Sequence, residues 1–132
     1  MSNKETVREL YEAFGRGDVG AILERLDENV EWEPGEGVSD VPWLQPRHGR
    51  AGAAEFFTSL GGLEIHKFVP KAILEEGGLV VAVIDVEATV KSTGKRFVEE
   101  DEVHLWRFNA NGQVTRFRHR VDTWRQVLAW GG

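Results

Sequence analysis

An Asn-Gly pair set between two alternating segments near the C-terminal end constrains this chain more than any other feature. Val103-His104-Leu105-Trp106-Arg107-Phe108 precedes Asn109-Ala110-Asn111-Gly112, and Val114-Thr115-Arg116-Phe117-Arg118-His119-Arg120-Val121 follows. Such a pair between alternating runs is the strongest short-range signal for a β-hairpin. Side chains in a strand alternate faces, so His104, Trp106 and Phe108 share one side of the first strand. Phe117, His119 and Val121 share a side of the second, and Arg116, Arg118 and Arg120 take the other. With Asn111-Gly112 as a two-residue loop, His104 lies opposite His119 and Trp106 opposite Phe117. A four-residue loop places His119 opposite Glu102 instead. Either register gives a sheet face that is aromatic, apolar and titratable, as the wall of a ligand pocket would be.

The rest of the chain supplies what such a sheet needs. Ser2 with Glu5 reads as a capping box opening a helix that carries Val7, Leu10, Tyr11 and Phe14 at helical spacing. Gly15 and Gly17 end it, and Asp18 caps a second short helix with Ile22, Leu23 and Leu26. Val30-Glu31-Trp32-Glu33 is a short strand stopped by Pro34 and Gly35. Residues 35–49 lack periodicity around Val41-Pro42-Trp43-Leu44 and form a candidate lid or pocket rim. Helix returns from Arg50 to Leu60, with Ala53, Phe56, Phe57 and Leu60 on its buried stripe. From Leu63 onward the pattern is antiparallel sheet, clearest over Leu79 to Lys91, and Asp122 caps a last short helix with Trp124, Val127 and Leu128 inward. The class is α+β, a single domain over residues 1–132.

Composition narrows the partners. At 132 residues with 41% hydrophobic content, the chain is long enough for one real core. Its net charge of -6 argues against nucleic acid or an anionic membrane. With no cysteine there is no disulfide and no thiol chemistry. No signal peptide and no apolar run of membrane-span length is read from the sequence, so a cytoplasmic location is expected. The four histidines show no close ligand spacing and no glycine-rich phosphate loop follows a strand, so no metal and no cofactor are expected.

Several short motifs then occur in a telling order. Gly17-Asp18 follows the first helix; Val30-Glu31-Trp32-Glu33-Pro34 comes next. His48-Gly49-Arg50-Ala51-Gly52 leads into Phe56-Phe57, and Arg118-His119-Arg120-Val121-Asp122-Thr123 closes the series. Together they resemble the nuclear-transport-factor-2-like superfamily, in its SnoaL-like, ketosteroid-isomerase-related branch. The resemblance implies a cone: a curved antiparallel sheet, mixed at its edge, wrapped around a pocket and closed by N-terminal helices. It also implies a homodimer through the outer sheet face. This cone hosts isomerases, polyketide cyclases, epoxide hydrolases, dehydratases and silent binding modules, so the fold alone does not decide function.

Carried over singly, the isomerase's general base falls at Glu33 and its protonated oxyanion-hole aspartate at His104. Its oxyanion tyrosine falls at Leu10, with Tyr11 about 100° away around the helix. The acid/base aspartate of SnoaL-type cyclases falls near His119. The candidate catalytic residues are therefore His104, His119 and Glu33. Trp43, Phe57, Trp106, Phe117, Trp32 and Tyr11 are candidate contacts for a small hydrophobic ligand. Trp32 and Glu33 have opposite parity, so one of the two is expected to face the pocket. Glu99-Glu100-Asp101-Glu102 reads as a charged outer rim. The expected activity is proton transfer on a carbonyl-bearing substrate; the alternative is a non-catalytic small-molecule binder or dimeric interaction module of the same fold.

Overall fold

The computed structural model describes residues 2–35 and 39–131. Two helices open the chain, α1 at Asn3–Gly15 and α2 at Val19–Glu24. The Ser2 hydroxyl accepts from the Glu5 N–H and the Asp18 carboxylate from the Ala21 N–H, so both expected N-caps form. Strand β1 (Leu26–Trp32) begins earlier than its apolar pattern suggests: Leu26, expected on α2, is the first residue of the strand and fully buried there. A 3-10 turn at Pro42–Leu44, the two-residue strand β2 (Arg47–His48) and helix α3 (Gly49–Ser59) follow. The remaining elements are β3 (Leu63–Glu76), β4 (Leu79–Val90), β5 (Arg96–Phe108), β6 (Val114–Arg120) and α4 (Thr123–Trp130). Part of the expected pocket rim, residues 36–38, lies outside the described residues.

The six strands form one curled, unclosed sheet in the order β2-β1-β6-β5-β4-β3. Every neighbouring pair is antiparallel except β1 with β6, which is parallel. The α+β class and the cone, mixed at one edge, are thus as the sequence implied. Strand β4 alternates between buried and half-buried positions over its whole length, with Ile84, Val86, Ala88 and Val90 on the inner side. Helix α1 lays Val7, Leu10 and Ala13 against that side. The core between them is strongly aromatic. Trp32 stacks on Phe117 with ring centroids 4.2 Å apart and meets Trp106 edge-on, the offset and T-shaped arrangements that ring quadrupoles favour.

Two irregularities in β5 and β6 decide which side chains reach the interior. The hairpin loop has three residues, between the two- and four-residue alternatives: the Asn109 N–H donates to the Gln113 carbonyl and the Gly112 N–H to the Asn109 carbonyl. Gly112, at φ +76°, supplies the left-handed residue that ends this three-residue loop. A one-residue register shift between Arg107 and Phe108 then restores His104 opposite His119 and Trp106 opposite Phe117. The second irregularity lies between β4 and β5. Ile84 pairs with Glu102 and Val86 with Glu99, so one residue, Asp85, opposes two, Glu100 and Asp101. Asp101 takes φ +62° to accommodate the bulge. Glu99 and Glu102 are consequently both buried, and the outer rim expected of this run holds only for Glu100 and Asp101.

Helix α4 corrects another expectation. Asp122 does cap it, accepting from the Arg125 N–H at 3.1 Å, but the helix buries Gln126 and Ala129. Trp124 is 66% and Leu128 46% exposed. Inward-facing Gln126 is tolerable because its amide is hydrogen-bonded.

Candidate functional site

Pairing of β5 with β6 brings the two histidines of the hairpin face to face. Their ring centroids lie 6.0 Å apart with planes at 84°, and both residues are buried. Each imidazole is held by its own carboxylate. His119 Nδ1 lies 2.7 Å from Glu33 Oε1, and the His119 backbone N–H donates to the same oxygen. An ionised carboxylate only accepts, so the imidazole proton sits on Nδ1. Its Nε2 has no hydrogen-bond partner among the described residues. Burial pulls the His119 pKa down, but the hydrogen bond to Glu33 and the charges of Glu33 and Glu102 outweigh it, leaving the group above its ordinary value.

His104 has both ring nitrogens engaged. Its Nε2 lies 2.6 Å from Glu102 Oε2 and its Nδ1 2.7 Å from the Tyr11 hydroxyl. That hydroxyl also accepts from Trp106 Nε1–H at 3.0 Å. Because an indole nitrogen can only donate, Tyr11 directs its own proton to Nδ1, and His104 carries its proton on Nε2 toward Glu102. The donors run Trp106, Tyr11, His104, and the chain ends on the Glu102 carboxylate, which accepts. Burial holds the His104 pKa below the usual range despite the Glu102 hydrogen bond and charge. Burial also pushes the Tyr11 phenol up, against the Trp106 hydrogen bond. The neutral phenol and neutral imidazole of this chain are therefore stable together, while His119 across the sheet favours its cation.

These groups surround a cavity of about 80 Å³, room for several water molecules. Tyr11, Trp32, Trp43, Phe57, Trp106 and Phe117, the six candidate ligand contacts, all line it, as do His104 and His119. Glu33 does not reach the wall; it stands behind His119. Of the Trp32–Glu33 pair, Trp32 lines the cavity, and Glu33, which leaves β1 with φ +52°, meets His119 instead. Tyr11 and Leu10 both reach the cavity as well, since the curled sheet meets two faces of α1. Trp43, in the candidate rim, is buried: it packs edge-on to Trp130 and donates through Nε1 to Gln126 Oε1 at 2.7 Å.

Three polar members of the site were not singled out from the sequence. Glu102 was legible as an inward residue, because it shares parity with His104. Glu99 has the opposite parity and comes inward through the bulge, for which the sequence carries no local signal. Its Oε2 accepts from the Asp122 N–H at 3.1 Å and its Oε1 from Gln126 Nε2 at 3.3 Å. Burial pushes the Glu99 carboxyl above the ordinary range, partly offset by those two hydrogen bonds. Gln126 gave no signal because apolar periodicity assigned α4 a different inner face. Among the described residues, no three His, Asp or Glu side chains are grouped so as to hold a metal ion, and no helix is long and apolar enough to cross a membrane.

Comparison with known proteins places this geometry in a lineage. The chain is similar over its whole length to an NTF2-like protein of unknown function from Burkholderia pseudomallei, with 29% identity, 100% of each chain covered and a TM-score of 0.85. It is similar to TerC, co-crystallised with polyporic acid, at 26% identity over 98% of each chain and a TM-score of 0.79. A Mesorhizobium loti protein named as a candidate SnoaL-like polyketide cyclase shares the fold, with a TM-score of 0.71 and 23% identity over 91% of this chain and 99% of its own. Nothing matches among curated proteins. The SnoaL-like domain matches residues 7–117, from the first buried valine of α1 to the aromatic ring that Trp32 stacks upon, and the chain belongs to that family, within the NTF2-like superfamily.

Proposed function

We propose that the chain is a cofactor-independent acid–base enzyme of isomerase or cyclase type, acting on a small hydrophobic molecule that bears a carbonyl group. The observation that carries this reading is the pair of carboxylate-held imidazoles facing one apolar cavity, with the affinity for a proton pushed up at His119 and down at His104. Environments that push like groups apart in pKa separate acid from base. His119, whose cation Glu33 favours, donates from Nε2 to the carbonyl oxygen. Glu102, whose Oε1 has no partner among the described residues, takes the proton from the carbon beside the carbonyl. The C–H electron pair moves into a carbon–carbon double bond as the O–H bond forms; in a β,γ-unsaturated ketone this gives a dienol, and Glu102 returns the proton to the γ carbon as the O–H proton goes back to His119, yielding the conjugated isomer. Glu33 orients His119, and the Tyr11–His104 pair orients Glu102. Both hydrogen-bonded sets are fixed before substrate arrives, in surroundings of low dielectric where they act most strongly.

The test is α-proton exchange of 1-tetralone, a small aromatic ketone, in deuterated buffer near neutrality, followed by proton NMR. Wild-type protein is expected to accelerate exchange at least about tenfold, within the range typical of one positioned acid or base. Glu102→Gln and His119→Gln are each expected to return exchange to the buffer rate while 1-tetralone still binds. Binding without acceleration in wild type overturns the enzymatic reading and leaves a small-molecule binder. His104, with both nitrogens engaged, is the feature that favours that second reading.

A further inference from the structure

Six rings on the cavity wall touch in a closed loop. His119 meets His104 with ring centroids 6.0 Å apart, His104 meets Phe68 at 6.3 Å, and Phe68 meets Phe14 at 4.9 Å. The loop returns from Phe14 to Phe57 at 6.3 Å, to Phe56 at 5.1 Å and to His119 at 5.9 Å. All six residues line the cavity. Phe14 is thus the ring farthest from His119 whichever way the loop is followed. A ligand that holds its carbonyl oxygen at His119 Nε2 turns its far end toward Phe14.

The two halves of the loop differ in burial. His104, His119 and Phe56 are buried, whereas Phe14, Phe57 and Phe68 are each half-buried. Leu60 and Ile65 carry the same wall outward, and Ile65 is 37% exposed. These five apolar side chains come from three places. Phe14 belongs to the last turn of α1, Phe57 and Leu60 to the end of α3 and the turn after it, and Ile65 and Phe68 to β3, an edge strand of the open sheet. Phenyl and alkyl groups make no hydrogen bonds, so packing alone closes this seam and its side chains part without breaking one. The cavity therefore runs from a buried, titratable end to an apolar end at the surface, where a polar substituent would lose water and gain no partner.

We propose that the substrate is an amphiphile, a ketone with a hydrocarbon tail, seated carbonyl first with the tail leaving between Phe14, Phe57 and Phe68. The place of the carbonyl rests on the function proposed above; the place of the tail rests on the wall and not on turnover.

A matched pair of ketones tests it. 4-Methylcyclohexanone and 4-pentylcyclohexanone share one head, carry the substituent across the ring from the carbonyl, and differ by four methylenes. Full burial of a methylene is worth about fourfold in affinity. Against half-buried walls about twofold for each is expected, so wild-type protein binds the pentyl ketone about sixteenfold more tightly by calorimetric titration. Ile65→Glu, at an exposed position away from the proton-transfer groups, is expected to cut that ratio to about fourfold or less, with 4-methylcyclohexanone affinity unchanged within about twofold. In case that variant fails to fold, the methyl signals of Leu60 and Ile65 in wild type give a second reading. The pentyl ketone is expected to shift them and the methyl ketone to leave them in place, while both shift the ring signals of His119. A full ratio in Ile65→Glu with unmoved methyl signals overturns the seam as the path of the tail. Equal binding of the two ketones overturns the tail and leaves a compact ketone as the ligand. Binding of neither overturns the cavity as a ligand site, and the seam with it. Tail-dependent binding without α-proton exchange supports the seam and removes turnover alone.

Discussion

His104 and His119 are buried to similar degrees, so the difference between them comes from their partners. Glu33 and Glu102 both raise the affinity of His119 for its proton, whereas for His104 burial prevails over Glu102. The two shifts act on stability in opposite pH ranges. Above the ordinary histidine value of about 6.5, His119 still binds its proton in the folded chain after the unfolded chain has released it. Its contribution is thus complete below that value and is lost as pH rises through its folded pKa. His104 is the reverse: below about 6.5 the unfolded chain takes up a proton that the folded one refuses, so stability falls on acidification. Together they place a stability maximum near pH 6.5, measurable by urea unfolding across pH 5 to 9. Glu33→Gln is expected to abolish the decline on the alkaline side and to cost roughly 1–3 kcal/mol at pH 6, from a weakened buried hydrogen bond. An unchanged alkaline limb in that variant would remove Glu33 as the cause. Nuclear magnetic resonance titration of the imidazoles gives the same answer directly, with His119 above and His104 below the ordinary value.

Among the elements, the β5–β6 hairpin depends on Gly112. Its φ of +76° lies where a Cβ is unfavourable, so Gly112→Ala is expected to destabilise the protein by about 1 kcal/mol, read from the urea midpoint at constant slope. No change would mean that the loop has an equally good alternative geometry. This hairpin shows how far the sequence speaks and where it stops. Asn111-Gly112 announced the turn, and period-two alternation put both histidines on the inner face, while leaving open whether His119 lies opposite His104 or Glu102; the structure pairs it with His104. The loop is nonetheless three residues long, and a compensating register shift keeps the far pairs in place; neither leaves a mark on the hydrophobic pattern. The same limit hid Glu99, which enters the interior only because Glu100 and Asp101 share one partner residue. Glu33 was legible as a site residue through its place before Pro34, but its service to His119 depends on a backbone turn at the strand end. Gln126 was illegible for another reason. Periodicity finds helix faces by apolarity, and here the inward face is polar and satisfied by hydrogen bonds.

On the scale of the whole molecule, the open sheet leaves β3 with one free edge along a strand of 14 residues. Such an edge is a template for further strands unless blocked. Here Pro70 lacks an N–H, register shifts flank Lys67 and Lys71, and Lys71 pairs with Asp85 and Asp101. Replacing both guards, Pro70→Thr with Lys71→Val, is expected to produce concentration-dependent association beyond that of wild type by light scattering while the protein keeps its cavity. Unaltered scattering would assign the protection to the register shifts alone. At the opposite side of the sheet lies the parallel junction of β1 with β6, the place where the chain's early and late strands meet. Glu33 and His119 bridge that junction across 86 positions. A nascent chain still missing β6 therefore holds an acid without its imidazole, and no local segment can assemble the dyad in advance. Contacts of such long range form late and slowly, so ligand capture by this protein reports the completion of synthesis and folding together.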